Sequence, residues 1–433
     1  MTTESETTGS PDKASATSTS LADSDFSSDT RSAVTFRDTV DDYIGRLKGG
    51  DMGSLPAILG LAVLMVVFGL ASDRFFSLLN MANLVVQAGP ICLLAMGLVF
   101  VLLLGEIDLS AGVAGGVSAT VTALAIVDHG YNWFPAVLAG LVAGAVIGLV
   151  IGELVARLGI PSFVVTLAFF LGLQGVILKM IGAGGSVRVA DPVIRGLSID
   201  NVPIGAAWVA SIALSLLFAG GTYWRYRRQV ANGLQHLPLS VVLLKIAVFA
   251  IVVIGLTAVL NANRSLNPNF PIAGVPYVLP VVVVLLIFWT FVLDRTRFGR
   301  HLYAVGGNSE AARRAGINVK GMKVYAFMIC STMAAVSGIV QSSYTGKVST
   351  ASGGGNTLLY AVGAAVIGGT SLFGGKGRAL DAVLGGFVIA TIANGLGLLN
   401  QASYINYLVT GGVLLLAASV DAISRRRRSA AGI

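Results

Sequence analysis

The sequence predicts an all-α polytopic membrane protein of about twelve transmembrane or re-entrant helices, with one long basic loop on its cytosolic side. Composition is the first observation: 55% of the 433 residues are hydrophobic, only 12% are charged, and the mean hydropathy is +0.81. Soluble domains do not reach such values. The second is a series of apolar runs. A bilayer-spanning helix needs roughly 20 apolar residues, and twelve runs approach that length: 55–72, 84–104, 110–127, 134–156, 162–181, 203–221, 239–260, 276–293, 324–344, 357–372, 380–399 and 404–422. The third is charge asymmetry. With the N-terminus inside and twelve crossings, 22 of the 29 Lys and Arg residues fall on the cytosolic side and six outside, with Lys245 inside a span. That split obeys the positive-inside bias, which an odd number of spans would break.

Each segment follows from its composition. Residues 1–50 are rich in Ser, Thr, Asp and Ala and lack an apolar core, so they are expected to form a disordered cytosolic tail. The first apolar run begins only near Leu55, after Arg46 and Lys48, which argues against a cleaved signal peptide. Residues 51–424 form the membrane domain, and 425–433 a basic cytosolic tail. The third and tenth runs are short or broken by glycine and are candidates for re-entrant segments. The 54 glycines suit helices that cross closely in lipid. The basic residues lie between apolar runs, so orientation in the bilayer explains them better than nucleic acid does. Cys92 and Cys330 sit in apolar segments, and His129, His236 and His301 are far apart. No metal, cofactor or disulfide framework can be built from them. Lys245 can reach the interface. Glu153 and Arg157, Arg378 and Asp381, and Asp421 and Arg425 have the spacing of local helix pairs.

The longest polar interval runs from Arg295 to Lys323 and carries seven basic residues. Inside it Asn308 can cap a short helix, Glu310 suits the positive end of its dipole and Gly316 can close it. Ala311, Ala312 and Ala315 leave a smooth surface beside Arg313 and Arg314. Such a helix suits docking into a cleft on another protein; a solvated basic loop is the alternative.

Gly105-Glu-Ile-Asp-Leu-Ser-Ala-Gly112 separates the second and third runs. Asp108 or Ser110 can cap the third helix, or Glu106, Asp108 and Ser110 can line a break on a solute path. Sugars offer hydroxyls, so a path for them wants carboxylates, amides, hydroxyls and aromatic faces. Thr166 and Gln174 supply polar positions in the fifth run. Asn394 in the eleventh makes either an interhelical bond or a contact on the path. Ile367-Gly-Gly-Thr-Ser-Leu-Phe-Gly-Gly-Lys-Gly-Arg378 invites comparison with a phosphate loop. It fails, because Gly377 stands where the magnesium-binding Ser or Thr belongs. This turn and the earlier break share the pattern G-x-x-x-L-x-x-G, at Gly105/Leu109/Gly112 and Gly368/Leu372/Gly375, a faint sign of internal duplication.

Four ordered motifs carry a resemblance. GRHLYAVGGNSEAARRAGINV resembles the coupling loop of the monosaccharide permeases of bacterial ABC importers, the ribose, xylose and galactose group. GEIDLSAG resembles their G-[GE]-I-D-L-S-V-G signature, PSFVVTL their P-S-F-I-V-T-L run and GGTSLFGGKG their Gly-rich turn. Glu106, and the segment Arg227, Arg228, Gln229, Gly233, Leu234 and Gln235, are most similar to the xylose branch. The resemblance spans about residues 75–422. It implies a permease domain over 51–424 whose loop, 295–323, seats in a partner ATP-binding subunit through Gly306, Gly307, Asn308, Glu310, Ala311, Ala312, Arg313 and Gly316. It further implies an extracytoplasmic sugar-binding protein, a second permease copy in a homodimer, a monosaccharide cargo and a lipid-embedded location in the plasma membrane with both termini cytosolic. The chain itself is then no enzyme. One departure stands out: where the family commonly reads E-L-D-A-I-A-A, this chain has Leu358 and Tyr360 in place of the acids. An ion-coupled sugar transporter and a branched-chain amino-acid permease remain the alternatives.

Overall fold

In the computed structural model, residue 45 and residues 53–430 are described, apart from 235, 266 and 268. The expected N-terminal tail and the last three residues lie outside the described residues. The described residues form fifteen helices and four very short strands. In order these are α1 (Leu55–Ala71), α2 (Leu78–Leu103), α3 (Ala111–Val127), α4 (Trp133–Ala156), α5 (Ser162–Ile181), β1 (Ser186–Arg188), α6 (Pro192–Ile199), β2 (Asn201–Val202), α7 (Ile204–Ala231) and α8 (Leu239–Asn261). Then come β3 (Val275–Pro276), α9 (Val278–Arg295), α10 (Arg297–Gly307), α11 (Ser309–Arg314), α12 (Val319–Thr345), β4 (Lys347–Ser349), α13 (Thr357–Gly368), α14 (Ala379–Leu398) and α15 (Ser403–Ala430).

Each of the twelve apolar runs gives a helix. Among the described residues, eight helices are long and apolar enough to cross a membrane: α2, α4, α5, α7, α8, α9, α12 and α14. Four apolar helices are shorter, namely α1, α3, α13 and the apolar part of α15. Boundaries shift where polar helix formers extend a run. The α7 helix continues through Arg225, Arg227 and Arg228 to Ala231, a stretch the sequence reads as loop, because Arg, Gln and Tyr prolong a helix readily.

Packing is organised around α2. Its most apolar stretch is 89% buried, against 6% for α8. Helices α12, α13 and α14 pack directly on α2, and α4 and α3 pack on α12. The α7–α8 hairpin packs mainly on itself and turns an apolar face outward. Burial of an all-apolar helix such as α2 demands close approach rather than hydrophobic contrast, and small residues provide it. A β-carbon on Gly338 of α12 would lie 2.1 Å from the Gly115 carbonyl oxygen of α3. On α4, Gly144, Gly148 and Gly152 meet the α12 backbone within 2.8 Å in the same way. Polar pins add to this. Asn394 of α14 and Asn80 of α2 exchange two hydrogen bonds of 2.9 Å, and the Asn394 amide also donates to Gln87 Oε1 at 3.3 Å. Of the two readings for Asn394, the interhelical bond is therefore present.

The short helices α3 and α13 have 17 and 12 residues, about 25 and 18 Å at 1.5 Å per residue. Both begin inside the body. Gly115, in the first turns of α3, lies against Ala334, halfway along α12. The starts of α3 and α13 also touch, since a β-carbon on Gly112 would lie 2.5 Å from Gly353 O and 3.5 Å from Leu358 N. One helix is reached through the 105–110 break and the other through the 346–356 loop, from opposite ends of the molecule.

Those ends differ. At one, β1 pairs with β4 and β2 with β3, both antiparallel, and Arg264 donates to Leu260 O, Gly274 O and Asn201 Oδ1. At the other lie α10, α11 and the 369–378 turn. If the helix crossings set stability, one substitution should act with opposite signs at two sites. Gly338→Ala should destabilise by about 1–3 kcal/mol through overpacking. Gly255→Ala, where no atom stands within 4 Å of the added methyl, should be neutral or stabilising by up to about 1 kcal/mol. Thermal unfolding of the two variants in detergent checks this.

Candidate functional site: a basic loop joined to a central cavity

The interval Arg295–Lys323 folds as two helices. The sequence reading anticipates α11 and misses α10. In α10, Gly299, Leu302 and Val305 are buried, a three-residue spacing that marks one face of an amphipathic helix. The hydroxyl of Thr296 accepts from Gly299 N at 3.2 Å and caps it. In α11 the anticipated punctuation is present: Asn308 Oδ1 accepts from Ala311 N at 2.9 Å, and Gly316 takes a φ of +83° just beyond the helix. Glu310 pairs with Arg313 at 2.8 Å and Arg314 at 3.1 Å. Hydrogen bonding from Arg313, then Arg314, holds the Glu310 carboxyl below its ordinary range. Gly307, Asn308, Glu310, Ala311, Arg313 and Gly316 are exposed, whereas Ala312 is buried and seats α11 on the body.

Gly306 does something else. A β-carbon there would lie 1.9 Å from Leu103 O and 2.9 Å from Gly375 N. Gly375 N donates to that same Leu103 carbonyl at 2.8 Å. The loop, the end of α2 and the Gly-rich turn thus meet at one point. Gly374 packs against Gly105 N as well, so the two turns with the shared glycine pattern lie side by side. Tyr303 OH donates to Gly377 O at 2.7 Å. Burial, with Asp294 and Asp381 nearby, pushes its hydroxyl up to about 12, so it remains a donor at neutral pH.

Three carboxylates near this junction, Glu106, Asp108 and Asp381, are engaged. Glu106 pairs with Lys323 of α12 at 2.5 Å. Asp108 is fully buried and its Oδ1 accepts from Ser110 N at 2.9 Å and Ser110 Oγ at 2.6 Å. Thr166 Oγ1 donates to Ser162 O at 2.8 Å, one turn back on α5. Asp381 pairs with Arg378, and Glu153 with Arg157, as their spacing suggests.

A cavity of about 610 Å³ opens beside the junction of α3 and α13, within the ~300–1,000 Å³ usual for small-ligand sites. It extends from Gly112 and Gly116 to Thr345 and Lys347, towards the end that carries the paired strands. Its polar lining includes Gln87 of α2, Ser337 and Gln341 of α12, and Asn356 and Thr357 at the start of α13. Tyr344, Tyr360 and Tyr407 add ring faces. Pro90 of α2 lines it too, and its carbonyl accepts from Ser337 Oγ at 2.7 Å. Among the described residues, Lys347 is the one charged residue in this lining, and none is an acid. Tyr360, one of the two positions where the resembled family carries acids, faces the cavity, while Leu358 is buried in the core.

Glu106, Asp108, Ser110, Thr166, Gln174 and Asn394 all lie outside this lining. Asn394 reaches it through Gln87, and Gln174 lies close to Gly354, next to the lining residue Gly353. Gln87 and Gln341 carried a signal in the sequence, each being an amide inside an apolar run. Tyr360 was marked only as a departure from the resembled family's acid, and Tyr344 and Tyr407 carried no signal.

Comparison with known proteins follows the same lines. Residues 80–418 match the family described as branched-chain amino acid transport system / permease component. The xylose transport system permease protein of Escherichia coli K12 is 35% identical over 383 residues, covering 88% of this chain and 94% of that protein. Its counterpart in Haemophilus influenzae is 33% identical over 392 residues, covering 88% and 99%. The ribose import permease protein of E. coli K12 is 28% identical over 369 residues, covering 84% and 92%. No solved structure matches the chain.

Two substitutions test the junction. Tyr303→Phe deletes one hydrogen bond and should cost about 1 kcal/mol. Gly306→Ala should cost more, about 1–3 kcal/mol, by driving a methyl into the Leu103 carbonyl, while Gly307→Ala, in open space, should unfold like the wild type. Melting temperatures in detergent rank the three.

Proposed function

The chain belongs to the permease-component family of branched-chain amino acid transport systems, and on that premise we propose that it is the membrane-spanning permease subunit of an ATP-binding cassette importer for a monosaccharide, xylose or a similar pentose. The observation that carries this reading is the cavity. A neutral polyol needs amides and hydroxyls for its hydroxyl groups and ring faces for its C–H surfaces. Gln87, Gln341, Asn356 and Thr357, with Tyr344, Tyr360 and Tyr407, supply both. An amino acid would need a partner for its ammonium group as well as its carboxylate, and the lining offers a lysine but no acid. The relatives named for xylose and ribose transport support the same choice. An ion-driven carrier would place an ionisable carboxylate on the solute path, and none lines the cavity.

In this reading the cavity is loaded by an extracytoplasmic sugar-binding protein from the end that carries the paired strands. The exposed face of α11, with Glu310, Ala311 and Arg313, and Gly316 just beyond it, seats in an ATP-binding subunit. Two copies of the chain serve two ATP-binding subunits, with both termini in the cytosol. Nucleotide acts by differential binding: the ATP-bound and ATP-free partner hold the loop in different positions, which biases outward against inward opening. The acids absent at Leu358 and Tyr360 leave a path read by neutral hydrogen bonding.

Import into proteoliposomes that hold the permease, its ATPase and its binding protein tests both halves. Gln341→Ala and Tyr360→Ala should each raise the KM for sugar about tenfold, as expected for the loss of one or two contacts. Glu310→Arg should abolish sugar-stimulated ATP hydrolysis while membrane insertion stays intact. Unaltered KM values would remove the sugar from this cavity, and normal stimulation in Glu310→Arg would remove the loop from the coupling role.

A further inference from the structure

The Glu106–Lys323 ion pair occupies a position that none of the other pairs described above shares. Those between Glu153 and Arg157, Glu310 and Arg313 or Arg314, and Arg378 and Asp381 are confined to one helix or its cap. Glu106 and Lys323 are 217 residues apart and largely shielded from solvent, with 16% and 27% of their side chains exposed. Lys323 is the last residue of the basic loop interval and lies in the first turns of α12. Glu106 opens the unwound segment that leads to α3. Resting on the coupling-loop reading above, we propose that this pair is the positioning element that carries the state of the loop to the cavity wall.

The segment between them has the mechanical properties of a short lever. Gly105, at φ +72°, lets the chain leave α2 sharply, a conformation that side-chain-bearing residues resist. Ile107 rests on the start of α5: its N–H donates to Ser162 Oγ at 3.4 Å, and its carbonyl takes the long branch, at 3.4 Å, of the Thr166 hydroxyl that bonds Ser162 O. The Asp108–Ser110 hydrogen bonds then fix the turn into α3. Six residues after Glu106, Gly112 presses on Gly353, and both line the cavity. A displacement of Lys323 is therefore delivered to Glu106 through a charge contact, pivots at Ile107 and arrives at the contact between the starts of α3 and α13. A shielded ion pair suits the task. Removing one partner leaves the other charge uncompensated in a poorly hydrated place, so the pair holds in one arrangement and releases as a unit.

The test uses the complete importer in proteoliposomes. Glu106→Gln and Lys323→Met should each lower sugar import about tenfold or more, a usual coupling magnitude. ATP hydrolysis by the partner should continue, so the ATP spent per sugar rises while the KM for sugar stays put. The exchange Glu106→Lys with Lys323→Glu should restore import to within about threefold of wild type, because the pair term is regained. A cysteine pair at the same two positions, bridged by a bis-thiosulfonate reagent that spans the reach of the two side chains, should stop import and release it on reduction, which covers the case in which the charge variants fold poorly. Single variants with wild-type import and stoichiometry, an exchange no better than the singles, or a bridge without effect on import would each overturn the proposal. Normal stimulation in Glu310→Arg would instead strike at the coupling reading itself, so the two failures are distinguishable.

Discussion

The carbonyl of Leu103 is the point on which this structure turns. It is one of the last four carbonyls of α2, which have no partner within their own helix, and α2 is the most deeply buried of the eight long apolar helices among the described residues. Gly375 N satisfies it at 2.8 Å, and Gly306 rests on the same oxygen so closely that a β-carbon would lie 1.9 Å away. One unsatisfied group at a helix end thereby binds together the basic loop, the central helix and the Gly-rich turn. Glycine is required because the backbones themselves are in contact.

A second backbone contact, Gly112 against Gly353, sits deeper. Two of the shorter apolar helices start there, one reached from each end of the molecule. Non-helical backbone at that depth is tolerated only where protein or a water-filled space covers it. Here the interior of the body and the cavity provide that cover. The arrangement leaves side-chain amides, hydroxyls and ring faces around a space lined by one lysine and, among the described residues, no acid, a setting that suits a neutral polyol better than a zwitterion. The 105–110 segment runs between the two glycine contacts, so the basic loop and the cavity are joined through a few residues.

Much of this was legible in the sequence. Hydropathy located every apolar helix, because lipid and a tightly packed core impose the same demand on a long run. The caps of α11 could be read because Asn308, Glu310 and Gly316 act within a few residues of one another. Arg378 with Asp381 and Glu153 with Arg157 were readable for the same reason. The cavity was not legible: Gln87, Gln341 and Tyr360 come from three helices separated by some 270 residues of chain, and no local pattern marks their meeting. Glu106 shows the limit most clearly. A carboxylate beside a helix break reads as a polar contact for a solute, but Lys323, 217 residues away, engages it. The helix α10 fell between these cases, since the spacing of Gly299, Leu302 and Val305 was present but diluted by the charged or ring-bearing Arg297, Phe298, Arg300, His301 and Tyr303.

Hydrogen–deuterium exchange of the complete importer, compared between its ATP-locked and nucleotide-free states, tests the central claim most directly. If the glycine contacts join the loop to the cavity, nucleotide should change the exchange of backbone amides in 105–112 and 351–358 together with those in 297–323. A change confined to 297–323, with the two inner segments indifferent to nucleotide, would contradict the account.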